Sequence, residues 1–222
     1  MKKPAFFMFF LFVSGLGLFA QNRGVSLQAT AGLNSAVGKQ WAVFIAIDYY
    51  QEWGPLKEPV KDAKEIRDIL LEYYYIDEVR ELYDRDATTA GIRLLLIGLR
   101  SEVGINDSVF VFYAGHGHFD PDTNTGFWIP KNGGRNLKEQ TNWLPNIQVR
   151  NLLTQLPAKH VFLVSDSCFS GDILYADRGE PVVIDVNYYR RAYDLVSRQV
   201  MTSGASEKVP DSSDAKNTEF WA

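Results

Sequence analysis

The chain has 222 residues, of which 46% are hydrophobic and 23% charged, and it carries a formal net charge of −4 at pH 7. That length suits one substantial domain rather than two. Mild acidity without a basic stripe excludes a nucleic-acid partner, because holding phosphates needs clustered Lys and Arg. Lys57, Lys61, Lys64 and Arg67 recur near helical spacing, but Glu58, Asp62, Glu65 and Asp68 interleave with them, as on a solvated face. Cys168 is the one cysteine, so neither an internal disulfide nor a Cys-based zinc site is expected. By itself such a cysteine reads as a small buried hydrophobe.

Taken in chain order, residues 1–20 read as a secretory signal peptide. Lys2 and Lys3 start it, an apolar run over residues 5–19 follows, and Ala20 supplies the small residue before a cut. The run is short for a membrane span, which needs about 20 apolar residues. The competing readings are an uncleaved anchor or a lipidated tail, but no Cys lies near the cut to carry a lipid. The expectation is a secreted or periplasmic protein with no membrane partner once the signal is removed. Residues 21–38, small and polar, read as a linker, and residues 39–222 as the folded domain.

Residues 41–47 form a continuous apolar run, the pattern of a strand buried on both faces. Val60, Ala63, Ile66, Ile69, Leu70 and Tyr73 have helical spacing. Residues 79–83 predict a short strand. Thr88 is placed to cap a helix with Ile92, Leu95, Leu96, Leu99 and Val103 on one side. Residues 108–113 predict another strand. Val149, Leu152, Leu153 and Leu156 mark a third helix stopped by Pro157, residues 160–164 a fourth strand, and residues 199–202 a fifth. Residues 175–191 show no period and read as a long loop.

Strand and helix in alternation predict an α/β fold: a mostly parallel sheet with helices on both faces, in three layers. Ligands in such sheets bind beyond the carboxyl ends of the strands. Two of those strand ends hold reactive groups: Gly115-His116-Gly117-His118, and Ser165-Asp166-Ser167-Cys168-Phe169-Ser170-Gly171. A thiol needs a base or a positive neighbour to be nucleophilic near neutral pH. Gly115 and Gly117 let the backbone turn and approach a ligand closely.

These boxes resemble the His-Gly and Cys-x-x-Gly boxes of the caspase, metacaspase and bacterial caspase-like peptidases. The spacing fits as well, since caspases place the His about 50 residues before the Cys. Residues 47–50, Leu56 with residues 60–63, Leu82-Tyr83-Asp84, Ala87-Thr88, and the stretch from Ser197 through Ser203 to Glu207 resemble further parts of that domain. The resemblance implies a cysteine endopeptidase acting on a peptide or protein substrate without cofactor or metal. Cys168 would be the nucleophile and His116 its acid and base, with the Gly117 and Cys168 amides as oxyanion hole. No Asn or Asp has a clear claim to orient His116, so no third catalytic residue is expected.

The same resemblance bears on specificity. Caspases have Gln two residues before the nucleophile, where this chain has Asp166. Metacaspases, which prefer basic residues, have Asp there and a second Asp that maps onto Asp62. Asp62, Asp166 and Ser203 would then line a pocket for Arg or Lys. The plainer readings are a helix cap for Asp62 and backbone bonding for Asp166. Such enzymes are commonly cut after the catalytic Cys, and residues 175–191 carry Arg178, Arg190 and Arg191. His118 is a rival for the catalytic role, and His160 reads as structural. Asp120, Asp122 and Asn124 suggest calcium ligands or a plain turn.

Two departures stand out. Phe169 replaces the His that often follows the Cys, and by the resemblance the helix and strand that normally close the domain are expected to be missing from the C-terminal end. The alternative function is therefore an inactive caspase-like module that binds peptides or proteins. A flavodoxin-like nucleotide binder ranks lower, because acidic, bulky Asp48-Tyr-Tyr-Gln-Glu-Trp follows the first strand where a Gly-rich phosphate loop would be needed.

Overall fold

The computed structural model describes residues 37–167 and 193–203. The expected signal peptide, nearly all of the linker, Cys168 with its Phe169-Ser170-Gly171 box, the 175–191 loop and the residues after Ser203 lie outside the described residues. Among those described, no helix is long and apolar enough to cross a membrane.

Five parallel strands build the central sheet: β1 (Gln40–Ala46), β2 (Glu78–Tyr83), β3 (Ser108–Ala114), β7 (His160–Asp166) and β8 (Ser197–Thr202), in the order β2-β1-β3-β7-β8. Among the described residues three helices cover it: α1 (Pro59–Tyr73), α2 (Thr89–Glu102) and α3 (Asn146–Thr154). β1 shows why its sequence is apolar throughout. Side chains alternate across a strand, so Ala42, Phe44 and Ala46 join Ala63, Phe112 and Ala114 in one buried cluster, with Val60, Ile66 and Leu70 of α1 packed against it. Trp41, Val43, Ile45 and Ile47 face the other way, into a cluster with Ile92, Leu96 and Leu99 of α2 and Val149 and Leu153 of α3. The mostly parallel α/β architecture expected from the sequence is thus the one observed.

Helix ends are fixed by identifiable groups. Thr88 caps α2, its hydroxyl accepting from the Gly91 amide at 3.1 Å, as the sequence predicts. Pro59 starts α1 where its missing N–H costs nothing. The residue at the α1 cap position, Glu58, makes no side-chain cap. Instead the Val60 amide donates to Asp48 Oδ1 at 3.0 Å, so the cap comes from the loop after β1. Asp48 and Tyr49 in turn donate their amides to Asp84 Oδ1, at 2.8 and 3.0 Å. Asp84 opens a short 3₁₀ turn and adopts φ 39°, a conformation Asp tolerates better than most residues.

A second sheet was not foreseen from the sequence. Antiparallel strands β4 (Gly117–Asp120), β5 (Thr125–Trp128) and β6 (Leu144–Pro145) follow the His-Gly box in the order β4-β5-β6. They are too short to show a period, and β6 contains a proline. The β4–β5 turn is held by Asp120, whose Oδ1 accepts from the Asp122 amide at 3.0 Å while Oδ2 accepts from Gln140 Nε2 at 2.7 Å. Among the described residues no group of His, Cys, Asp or Glu side chains is arranged to hold a metal ion.

Candidate active site

β1 and β3 are neighbours in the sheet, yet their exit loops diverge, α1 leading to β2 on one side and β3 running into β4 on the other. Such switch points open the crevice in which α/β sheets bind ligands. Here the two loops meet. Tyr50, from the loop after β1, accepts the His116 amide on its hydroxyl at 2.7 Å. A side chain at position 115 would put its Cβ 2.6 Å from that hydroxyl, so a larger residue there would push Tyr50 off the His116 amide.

His116 is held at every level. Its carbonyl oxygen accepts from Tyr113 Oη at 2.9 Å and from the Ile129 amide at 3.0 Å. Its ring packs against Tyr50, centroid to centroid 4.7 Å, and Trp53, 5.5 Å. Nε2 lies 2.8 Å from the Gly54 carbonyl oxygen. A carbonyl only accepts, so in the neutral imidazole Nε2 carries the proton and Nδ1 the lone pair. The ring is therefore set in one tautomer, with the basic nitrogen directed away from the Gly54 loop. Trp53 donates its indole N–H to the Gly134 carbonyl at 3.2 Å, and Trp143 donates to the same oxygen at 2.7 Å. Sequence reasoning missed this orienting group because it is a backbone atom.

β3 and β7 pair in parallel with Ala114 beside Asp166, and the Gly115 amide continues the ladder to the Asp166 carbonyl at 3.2 Å. His116 thus stands two residues past a register pair whose other member stands two residues before Cys168. Ser167, buried, anchors this strand end: its hydroxyl lies 3.3 Å from that of Ser165, which accepts from the Trp128 indole at 3.1 Å.

The residues expected to read the substrate gather at this same rim. Ser203 donates its amide to the Ser165 carbonyl at 3.3 Å, one step beyond the Ser165–Thr202 register pair, so it sits beside Asp166. Asp62 lies in the first turn of α1. Its carboxyl is held above the ordinary value, first by partial burial and then by the negative charge of Glu58; Lys61 opposes this, and Asp166 adds to it. Asp166 shares a strand face with Val164, which packs into the cluster that α1 covers, so it stands on the same side of the sheet as Asp62.

The other histidines have different surroundings. His118 packs on Trp143, centroid to centroid 4.9 Å, and burial holds its imidazole below the usual value against the pull of Asp120. His160 opens β7 at the opposite end of the sheet. Its Nε2 lies 3.1 Å from the Tyr193 carbonyl and its Nδ1 3.1 Å from Ser197 Oγ.

The sequence is similar to known proteins. The caspase domain family matches residues 39–218. Metacaspase-6 of Arabidopsis thaliana is 28% identical over 149 residues, covering 60% of this chain and 38% of that protein. The chain therefore spans well under half the length of this relative. The crystal structure of protein GSU0716 from Geobacter sulfurreducens is 22% identical, with a TM-score of 0.47, covering 59% of this chain and 50% of that one. A family match over most of the sequence, laid on a parallel sheet that presents the His-Gly box at its carboxyl rim, has one reading: the chain belongs to the caspase domain family of cysteine peptidases.

Proposed function

We propose that the chain is a cysteine endopeptidase that cleaves peptide bonds after Arg or Lys, with Cys168 as nucleophile and His116 as its acid and base. The observation that carries the reading is the β3–β7 register, which lines up the strand ends leading to His116 and Cys168. The His116 tautomer supports it. With Nε2–H on the Gly54 carbonyl, Nδ1 is the nitrogen that takes the thiol proton, gives it to the leaving amine and then draws a proton from water.

In this mechanism the thiolate attacks the scissile carbonyl and the resulting oxyanion is held by the Gly117 and Cys168 amides. Asp62 and Asp166 form the floor of the specificity pocket with Ser203 at its side. Two carboxylates there attract a guanidinium or ammonium and repel a substrate Asp, so discrimination has both an attractive and a repulsive part. Export directed by residues 1–20 belongs to the same proposal, and amino-terminal sequencing of the natively expressed protein tests it: an intact Met1 rules it out.

Activity is tested with otherwise identical fluorogenic peptides ending in Arg, Lys or Asp, using wild type, Cys168→Ala and His116→Ala. Hydrolysis after Arg or Lys that both variants lose is expected. Wild-type rates in Cys168→Ala, or a preference for Asp, defeat the reading. A wild type that binds peptides yet neither cleaves them nor is labelled at Cys168 by a peptidyl chloromethyl ketone would be a binding module instead.

A further inference from the structure

We infer that Tyr113 is a positioning residue for the oxyanion hole: its buried hydroxyl fixes the His116–Gly117 peptide so that the Gly117 amide faces the reacting carbonyl. The inference rests on the peptidase reading above and adds a residue to it. Tyr113 is fully buried and is the last residue but one of β3. Its ring stacks on Trp128 at 3.8 Å between centroids and 4° between planes, which leaves the phenol no freedom to swing. Its hydroxyl donates to the His116 carbonyl at 2.9 Å, while the Ile129 carbonyl lies farther off at 3.4 Å. Burial keeps the phenol well above its usual range, so the donor stays protonated at any working pH.

The consequence for Gly117 follows from peptide geometry. A trans peptide points its C=O and its N–H in opposite directions, and the described residues contain no cis bond. Fixing the His116 oxygen therefore fixes the direction of the Gly117 N–H. The β4–β5 ladder sets which side that is. The Ile129 amide bonds the His116 oxygen, and Gly117 pairs with Trp128. In an antiparallel ladder that pattern makes Gly117–Trp128 a non-hydrogen-bonded pair, whose amides point outward. The Gly117 N–H thus lies on the open edge of β4, away from β5. Two donors hold the carbonyl at the other end of its peptide: the Ile129 amide, part of the sheet, and the Tyr113 hydroxyl, from the strand that carries the histidine. The second couples the amide's direction to the position of His116.

A residue that acts on the oxyanion rather than on the thiol has a separable signature. Alkylation of Cys168 by iodoacetamide needs the thiolate but forms no oxyanion; peptide hydrolysis needs both. Tyr113→Phe should lower kcat about tenfold, a fraction of the loss seen on removing an oxyanion donor outright, with KM within about twofold and the iodoacetamide rate unchanged. Para-aminophenylalanine at position 113 restores an N–H donor and should recover much of kcat. Para-methylphenylalanine fills the hydroxyl's space without donating, and carries the comparison if Tyr113→Phe is unstable. An iodoacetamide rate that falls in step with kcat assigns Tyr113 to the thiol–histidine pair and overturns the inference, as does a para-methyl variant with wild-type kcat. If wild type itself shows no Cys168-dependent hydrolysis, the peptidase reading fails and the inference with it. If wild type cleaves and the donor-less variants match it, the inference alone falls.

Discussion

His116 and Gly54 are joined by a 2.8 Å contact between an imidazole nitrogen and a backbone carbonyl oxygen. On the proposed mechanism the Gly54 carbonyl takes the place of the Asp or Asn that orients a histidine base. It belongs to a loop pinned by its neighbours: the Gln51 amide donates to the Lys131 carbonyl at 2.9 Å, and Glu52 Oε2 accepts the Arg135 amide at 2.9 Å.

Trp53 links this loop to the ring it orients, so Trp53→Ala should free both. We expect kcat/KM to fall by about tenfold or more, because small misplacements of a catalytic group are costly. Circular dichroism should show an intact sheet. An unchanged kcat/KM in a folded Trp53→Ala protein would show that the Gly54 carbonyl needs no support from the indole.

Asp48 ties the loop after β1 to the start of α1, and α1 carries Asp62. Asp48→Ala removes the cap, a loss of about 1 kcal/mol, and should raise KM for an Arg peptide more than it lowers kcat. Asp48→Asn keeps an accepting oxygen and should stay near wild type. Equal losses in the two variants would mean that charge, not capping, matters there.

The raised carboxyl of Asp62 has a defined sign. A carboxyl with a folded value above the ordinary 3.8 binds its proton more tightly in the folded than in the unfolded chain. The stability it contributes is complete below that ordinary value and is lost as pH rises through the folded one. At neutral pH Asp62→Asn should therefore raise the melting temperature while raising KM for the Arg peptide. A lower melting temperature would mean that Asp62 is held by partners that favour its charge.

Asp107 is a structural counterpart, 7% exposed. It accepts the Lys39 amide at 2.8 Å, the Trp41 indole at 2.9 Å and the Gly104 amide at 2.8 Å. Its own carbonyl accepts the Lys159 amide at 2.8 Å, so β1, the end of α2 and the approach to β7 meet at one residue. Asp107→Ala strands these donors and should cost about 3 kcal/mol in urea unfolding. It lies at the amino end of the sheet, so kcat at a permissive temperature should be unchanged. A loss below about 0.5 kcal/mol would exclude the three-donor account.

Burial holds His160 below the ordinary imidazole value. Its folded state favours the neutral ring, so stability is complete above about pH 6.5 and is lost as pH falls from there through the folded value. His118 acts in the same direction. Thermal unfolding of His160→Gln between pH 5 and 7 should show a shallower acid slope than wild type; an identical slope would assign the acid sensitivity elsewhere.

Much of this architecture could be read from residue pattern, because β1 and β3 are buried on both faces and their sequences say so. The His-Gly box could be placed at a strand end because that strand is a clean apolar run. The small sheet escaped notice, since Leu144–Pro145 is two residues of pairing with no period to detect. Asp48 was visible as an acidic residue after the first strand, but its cap on α1 is a contact between elements that no local pattern encodes. Asp62 stood a little inside the expected helix start, and the structure gives the capping of the first turn to Asp48. The carbonyl of Gly54 could not be found by any motif, and Tyr113 gave only a faint sign: a phenol at the end of an otherwise aliphatic and Phe-rich strand.

The parallel register of the central sheet also bears on when activity can arise. Ser108 pairs with Gln40 on one side and with His160 on the other, so each pairing closes a long stretch of chain. Contacts of that range are slow to form, because loop-closure entropy must be met before the ladder repays it. The proposed nucleophile and base follow different strands, so on that reading the pair assembles only after β3 has zipped against β7. The proposed activity would therefore be absent from a nascent or partly folded chain, and synthesis of the polypeptide would be separated in time from the assembly of its site.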